Sequence, residues 1–137
     1  MPYQLDWYIE GRIIYRRFWG VVTEDELQAY YIQFLDLLEI GNSPIHLIVN
    51  DGQLERIAIK PSLSNKNRQI NKHPSLGWSI SIGQLHFVVR LLTLLGRKLR
   101  LSRWRWFKRW EEAKNFLKKH DSTLNWQNAN EALIHQD

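Results

Sequence analysis

Apolar positions recur along this chain with two periods, and the switches between them divide it into short elements. Leu5-Asp6-Trp7-Tyr8-Ile9-Glu10 and Ile13-Ile14-Tyr15-Arg16-Arg17-Phe18-Trp19-Gly20-Val21-Val22 are rich in β-branched and aromatic residues. With Gly11-Arg12 between them they predict a β-hairpin. Trp7 and Ile9 alternate with Tyr8 and Glu10, the pattern of a half-buried strand. Thr23-Glu24-Asp25-Glu26 then has the form of a helix capping box, and its acids lie at the positive end of the helix dipole. Leu27, Tyr30, Tyr31, Phe34, Leu37 and Leu38 follow at helical spacing up to Gly41.

After Pro44, Ile45-His46-Leu47-Ile48-Val49-Asn50 is the near-continuous apolar run of a central strand covered on both faces, ended by Asp51-Gly52. Residues 53–61 are the least determined. Ser62 or Ser64 caps a weak helix that runs to about Lys72, and His73-Pro74 ends it. Leu76–Ile82 alternates as a strand, and an apolar helix is expected from Gln84 to about Lys98. Leu101–Phe107 alternates again, with Arg103 and Arg105 on one face and Trp104 and Trp106 on the other. A last helix is expected from about Lys108 to His120. The tail from Asp121 is polar apart from Leu124, Trp126 and Ala132-Leu133-Ile134, which leaves either a short helix or loose packing. Two short strands followed by alternating helices and strands predict a single α/β domain over residues 1–124, with a C-terminal tail over 125–137.

Taken in order, three stretches resemble the SpoIIAA-like family, structural relatives of the STAS domains of anti-sigma factor antagonists and sulfate transporters. They are Arg12 through Leu27, Pro44 through Asn50, and His73-Pro74-Ser75-Leu76-Gly77-Trp78; Glu111-Glu112-Ala113-Lys114-Asn115-Phe116-Leu117 adds a fourth. The resemblance implies a mixed sheet of four or five strands with about four helices mainly on one face. It also implies a non-enzymatic role in binding partner proteins. In anti-sigma factor antagonists a serine after the central strand is phosphorylated in an Asp-Ser-Ser-Gly context. This chain has no such tetrapeptide, and Ser62 and Ser64 are the hydroxyls nearest the equivalent position.

Composition narrows the chemistry. With 137 residues the chain can bury a core without staples, and with no cysteine it has neither disulfides nor thiolate chemistry, as suits a cytoplasmic protein. The longest apolar run, Phe87 to Leu95, holds an arginine and is far shorter than the roughly 20 residues of a membrane span. His46, His73, His86, His120 and His135 are scattered, so no metal or other cofactor is expected. His46, inside an apolar strand, reads as a hydrogen-bonded core histidine. Asp51 follows the central strand, where α/β proteins often place ligand contacts, but a turn acid is the simpler reading. No nucleophile elbow or phosphate-binding glycine loop is present, so an enzyme is not expected.

Net charge is +5, yet Arg97, Lys98, Arg100, Arg103, Arg105, Lys108 and Arg109 supply seven positive charges without an acid among them. Arg97, Lys98 and Arg100 follow a helix C-terminus and complement its dipole. Arg103 and Arg105 on an exposed strand would blunt an edge. Lys108 and Arg109, expected in the first turn of the last helix, have no such account and point to a bound anion or an acidic partner. The candidate binding residues are therefore Arg103, Arg105, Lys108 and Arg109. A protein partner is preferred to an anionic membrane surface, and nucleic acid comes last because the strand's tryptophans and arginines face opposite ways. Residues 85–99 are apolar nearly all round, which fits a homodimer interface or, second, a basic-flanked membrane anchor.

Overall fold

The computed structural model describes residues 2–57, 69–70, 72–83 and 103–134. The apolar helix expected over 84–98, the basic residues Arg97, Lys98 and Arg100, and Ser62 and Ser64 lie outside the described residues. Strands β1 (Tyr3–Ile9) and β2 (Ile13–Val22) form the expected antiparallel hairpin around Gly11. Helix α1 (Glu24–Ile40) starts on the capping box: the Thr23 hydroxyl accepts from the Glu26 amide at 3.3 Å, and the Glu26 carboxylate accepts from the Thr23 amide at 3.0 Å. The helix stops at Gly41, but not through a left-handed residue, since Gly41 is extended. Glycine is needed there for close approach: a Cβ would meet Ile45 Cδ1 at 2.6 Å and Trp7 Cη2 at 2.9 Å.

Strands β3 (Ile45–Ile57), β4 (Leu76–Ile82) and β5 (Trp104–Phe107) complete one five-stranded sheet of order β1-β2-β3-β4-β5, in which every pair after the hairpin is parallel. The strand expected to end at Asp51-Gly52 continues to Ile57, because the ladder with β2 absorbs two irregularities and goes on to pair Val22 with Ile57. Asp51 is therefore a buried strand residue, not a turn acid.

The two sides of the sheet carry separate apolar clusters. Ile14, Phe18, Leu47 and Val49 meet Leu27, Tyr30, Phe34 and Leu38 of α1, with Ile70 in the same layer. Ile13, Tyr15, Ile48 and Ile80 meet Trp110, Ala113 and Leu117 of helix α2 (Trp110–His120), together with Leu124 and Leu133. Among the described residues α1 covers one face, and α2 with the short helix Glu131–Ile134 covers the other; the expected helix over 84–98 lies outside them. The cause is visible in β2 and β3: Ile13, Ile14, Tyr15, Ile45 and Ile48 are fully buried, so adjacent residues pointing opposite ways both need cover. Each such side chain removed from water contributes roughly 1.5–3 kcal/mol.

The chain after Asp121 supplies part of that second layer. A 3₁₀ turn (Trp126–Asn128) and a short helix α3 (Glu131–Ile134) pack under the hairpin, and the Asn130 amide donates to the Tyr8 carbonyl at 2.8 Å. Tyr8, which alternates with Trp7 and Ile9, is consequently 1% exposed and meets the Trp110 and Trp126 rings edge-on. Among the described residues no helix is long and apolar enough to cross a membrane.

A basic surface on the fifth strand backed by aromatic rings

Of the four basic residues singled out from the sequence, Arg103 immediately precedes β5 (Trp104–Phe107), Arg105 lies on it, Lys108 and Arg109 lie in the turn that leads to α2, and all four are exposed. Helix α2 begins at Trp110, two residues later than expected. Lys108 and Arg109 therefore precede the first turn, which carries Glu111 and Glu112 instead, and Arg109 occupies the N-cap without a side-chain bond. Among the described residues none of the four basic side chains forms a salt bridge.

β5 pairs only with β4 among the described strands, and its alternation is as expected. Trp104 and Trp106 turn to one side, where their indole N–H groups donate to Ser81 Oγ and the Gly83 carbonyl, each at 2.9 Å. Arg105 turns to the other, where its guanidinium sits 5.1 Å above the Trp78 ring of β4 and Nη1 donates to the Trp104 carbonyl at 2.8 Å. Trp78 is itself held edge-on by Phe116 at 4.9 Å and by His120 at 5.3 Å, while Phe116 also meets Phe107 at 5.3 Å. Arg105 thus does share a surface with aromatic rings, but the rings come from β4 and α2. Strand alternation within 101–107 could not show this, since the partner lies on a neighbouring strand.

A polar network adjoins this surface at the N-terminal end of the parallel strands. His46 is buried as expected. Its Nδ1 accepts the Trp78 amide at 3.0 Å, so Nε2 bears the proton and donates to Asp121 Oδ2 at 2.8 Å. Arg12 Nη2 donates to the same oxygen at 2.8 Å and to Thr123 Oγ1 at 2.9 Å. Gly77 leaves room for the imidazole, since a Cβ would come within 2.6 Å of Nδ1. Burial disfavours the Asp121 carboxylate, but hydrogen bonds from Thr123 and His46 and the charge of Arg12 outweigh it and hold the group down at about 2. Burial also pushes His46 down; Asp121 opposes this, and the charges of Arg12 and Arg103 add to it. Both imidazole nitrogens are engaged by structural partners, so His46 has no free nitrogen to act as a base. Arg12 and Asp121 carried no signal in the sequence.

The segment from 51 to 64, which holds Asp51 and the two serines nearest the equivalent phosphorylated position, divides. Residues 51–57 are strand, and the rest lies outside the described residues. The Asp51 carboxylate is turned inward onto Arg16 Nη2 at 2.6 Å, and Arg16 also donates to the Tyr30 hydroxyl at 3.3 Å and covers the Phe18 ring at 4.3 Å. Burial raises the Asp51 carboxyl while Arg16 opposes it. The pair belongs to the α1 layer, with the Asp51 side chain 3% and the Arg16 side chain 14% exposed. Among the described residues no group of three or more His, Cys, Asp or Glu could hold a metal.

This architecture, a hairpin followed by parallel strands with a capped helix over the first crossover, is the SpoIIAA-like, STAS-type α/β fold. Three solved structures share it. The unphosphorylated anti-sigma factor antagonist SpoIIAA superposes with a TM-score of 0.58 at 12% identity, covering 87% of this chain and 99% of its own. The phosphorylated form of SpoIIAA, a Bacillus cell fate determinant, gives 0.57 at 13% identity, over 84% and 98%. An uncharacterized DUF3478-family protein with a SpoIIAA-like fold from Shewanella loihica PV-4 gives 0.61 at 10% identity, over 84% and 91%. No family model and no curated protein sequence matches the chain.

Proposed function

We propose that the chain is a non-catalytic protein-interaction module of the STAS-like type, a regulatory or scaffold component whose docking surface is the basic face of β5 and the turn into α2. One observation carries this reading: Arg103, Arg105, Lys108 and Arg109 are exposed within seven residues and unpaired among the described residues, beside half-buried aromatic rings. Exposed arginine with aromatic support is the composition that protein interfaces favour. The likeness to SpoIIAA, an anti-sigma factor antagonist, supports a regulatory role, while the inward ion pair of Asp51 and the occupied imidazole of His46 argue against a catalytic one.

The test is reversal of all four charges. Tagged wild-type protein and the variant R103E/R105E/K108E/R109E, matched for melting temperature, are compared for the proteins each retains from cells that express the chain. Selective loss of retained proteins in the variant is expected, and identical sets would refute the reading. A homodimer built on the apolar sequence 85–99 is a second part of the proposal. Sedimentation should show a dimer whose mass does not change between low and high salt, and a monomer under both conditions would remove it.

A further inference from the structure

Arg105 is an exposed cation with two intramolecular contacts. One guanidinium N–H is tied to the Trp104 carbonyl and its face rests on Trp78, whose ring is braced by Phe116 and His120. A guanidinium already held in one place loses little freedom when it binds, and its remaining N–H groups present the fork that pairs with a carboxylate. Arg103 lies two residues earlier, just before the strand, and is likewise exposed; its carbonyl still accepts from the Ser79 amide, so the alternation of β5 extended by one residue assigns it to the side of Arg105. Two residues of strand span roughly 6.5 Å, and the same distance separates alternate side chains of any extended peptide. The Trp104 carbonyl, which would pair with a strand added at the edge of β5, is already capped by Arg105. A ligand is therefore directed across the face of the strand, over Trp78, and away from its edge.

We propose that Arg103 and Arg105, with Arg105 seated on Trp78, form a docking site for an extended segment of a protein partner bearing acidic residues at alternate positions. This rests on the reading of the basic face as an interaction surface, and adds to it the chemistry and spacing of the partner. Lys108 and Arg109 lie beyond the strand and contribute general attraction only.

The test uses two fluorescent peptides of identical composition, one with glutamate and serine alternating and one with the glutamates in a single block, titrated with the full chain at low salt and read by anisotropy. The alternating peptide is expected to bind more tightly. Arg105→Lys keeps the charge but loses the fork, and should weaken that peptide by about tenfold. Lys108→Gln/Arg109→Gln should change it no more than about threefold. Trp78→Leu, which removes the platform, should act like Arg105→Lys; should it fail to fold, the exposed Arg105→Lys variant alone decides. Equal affinity for the two peptides, no effect of Arg105→Lys, or no peptide binding would overturn the inference. So would tighter binding to phosphatidylserine vesicles or to an oligothymidylate. The two readings fail separately: if charge reversal still abolishes retention of cellular partners while Arg105→Lys does nothing to peptide binding, the surface stands and this assignment of its ligand falls.

Discussion

Replacing Asp121 with asparagine tests whether the polar network under the strand ends holds the last helix to the sheet. Asp121 is the residue at which α2 stops, and it uses both carboxylate oxygens: Oδ2 accepts from Arg12 and His46, Oδ1 from the Thr123 amide and hydroxyl. Asparagine keeps one acceptor oxygen and turns an NH₂ group toward donors, so at least one set of bonds is lost. The ionic part follows from the depression of the carboxyl from 3.8 to about 2. At about 1.4 kcal/mol per pH unit this is worth about 2 kcal/mol, and partial screening around Arg12 brings the expectation to about 1–2 kcal/mol. For a chain of this size that is a melting temperature lower by roughly 3–10 °C at pH 7. A carboxyl depressed in the folded state stabilises fully above its unfolded value, and this contribution is lost as pH falls through the folded one. The gap between wild type and Asp121→Asn should therefore persist down to about pH 4 and shrink between 4 and 2. The assay is thermal unfolding by circular dichroism across that range. Equal melting temperatures at pH 7, or a gap that does not close in acid, would refute the reasoning.

Three further perturbations follow from the same packing. Burial lowers His46 below its ordinary 6.5, so the unfolded chain binds a proton that the folded one resists. Stability should be full above 6.5 and decline as pH falls from there, and urea midpoints between pH 7.5 and 5 should show a smaller decline in His46→Gln. Gly77→Ala would drive a methyl into the His46 ring, with Cβ 2.6 Å from Nδ1 and 2.8 Å from Cε1, at a cost of about 1–3 kcal/mol in urea unfolding. Asp51→Ala should cost about 2–4 kcal/mol because it leaves Arg16 charged and largely buried, whereas the double change Arg16→Met/Asp51→Leu should recover most of that loss; an additive double variant would show that the pair is not coupled.

The parts of this fold that could be read along the chain are those whose partners are close in sequence. Thr23 and Glu26 cap each other three residues apart, the hairpin closes around Gly11, and Leu76–Ile82 alternates over its whole length as a strand. The exposed side of β5 was legible in the same way, from Arg103 and Arg105 two residues apart. The burial of Asp51 is not legible in the sequence because its partner Arg16 lies 35 residues back and meets it only across a parallel ladder that slips in register. The cover over Tyr8 is not legible either, because the residues that supply it, at 110 and 126, come from the far end of the chain. The His46–Asp121 bond spans 75 residues between a strand and a helix end, and no spacing rule connects such positions.

Local sequence therefore determined the elements, their order and the run of positive charge, because capping, alternation and turn formation are interactions among near neighbours. Tertiary structure decided which residues share a surface. Parallel pairing sets Trp78 beside Arg105, and α2, returning across the sheet, supplies Phe116 and His120 behind it. A row of arginines becomes a structured surface only when strands distant in sequence bring rings beneath it, and that depends on the register of the sheet, which no local pattern encodes.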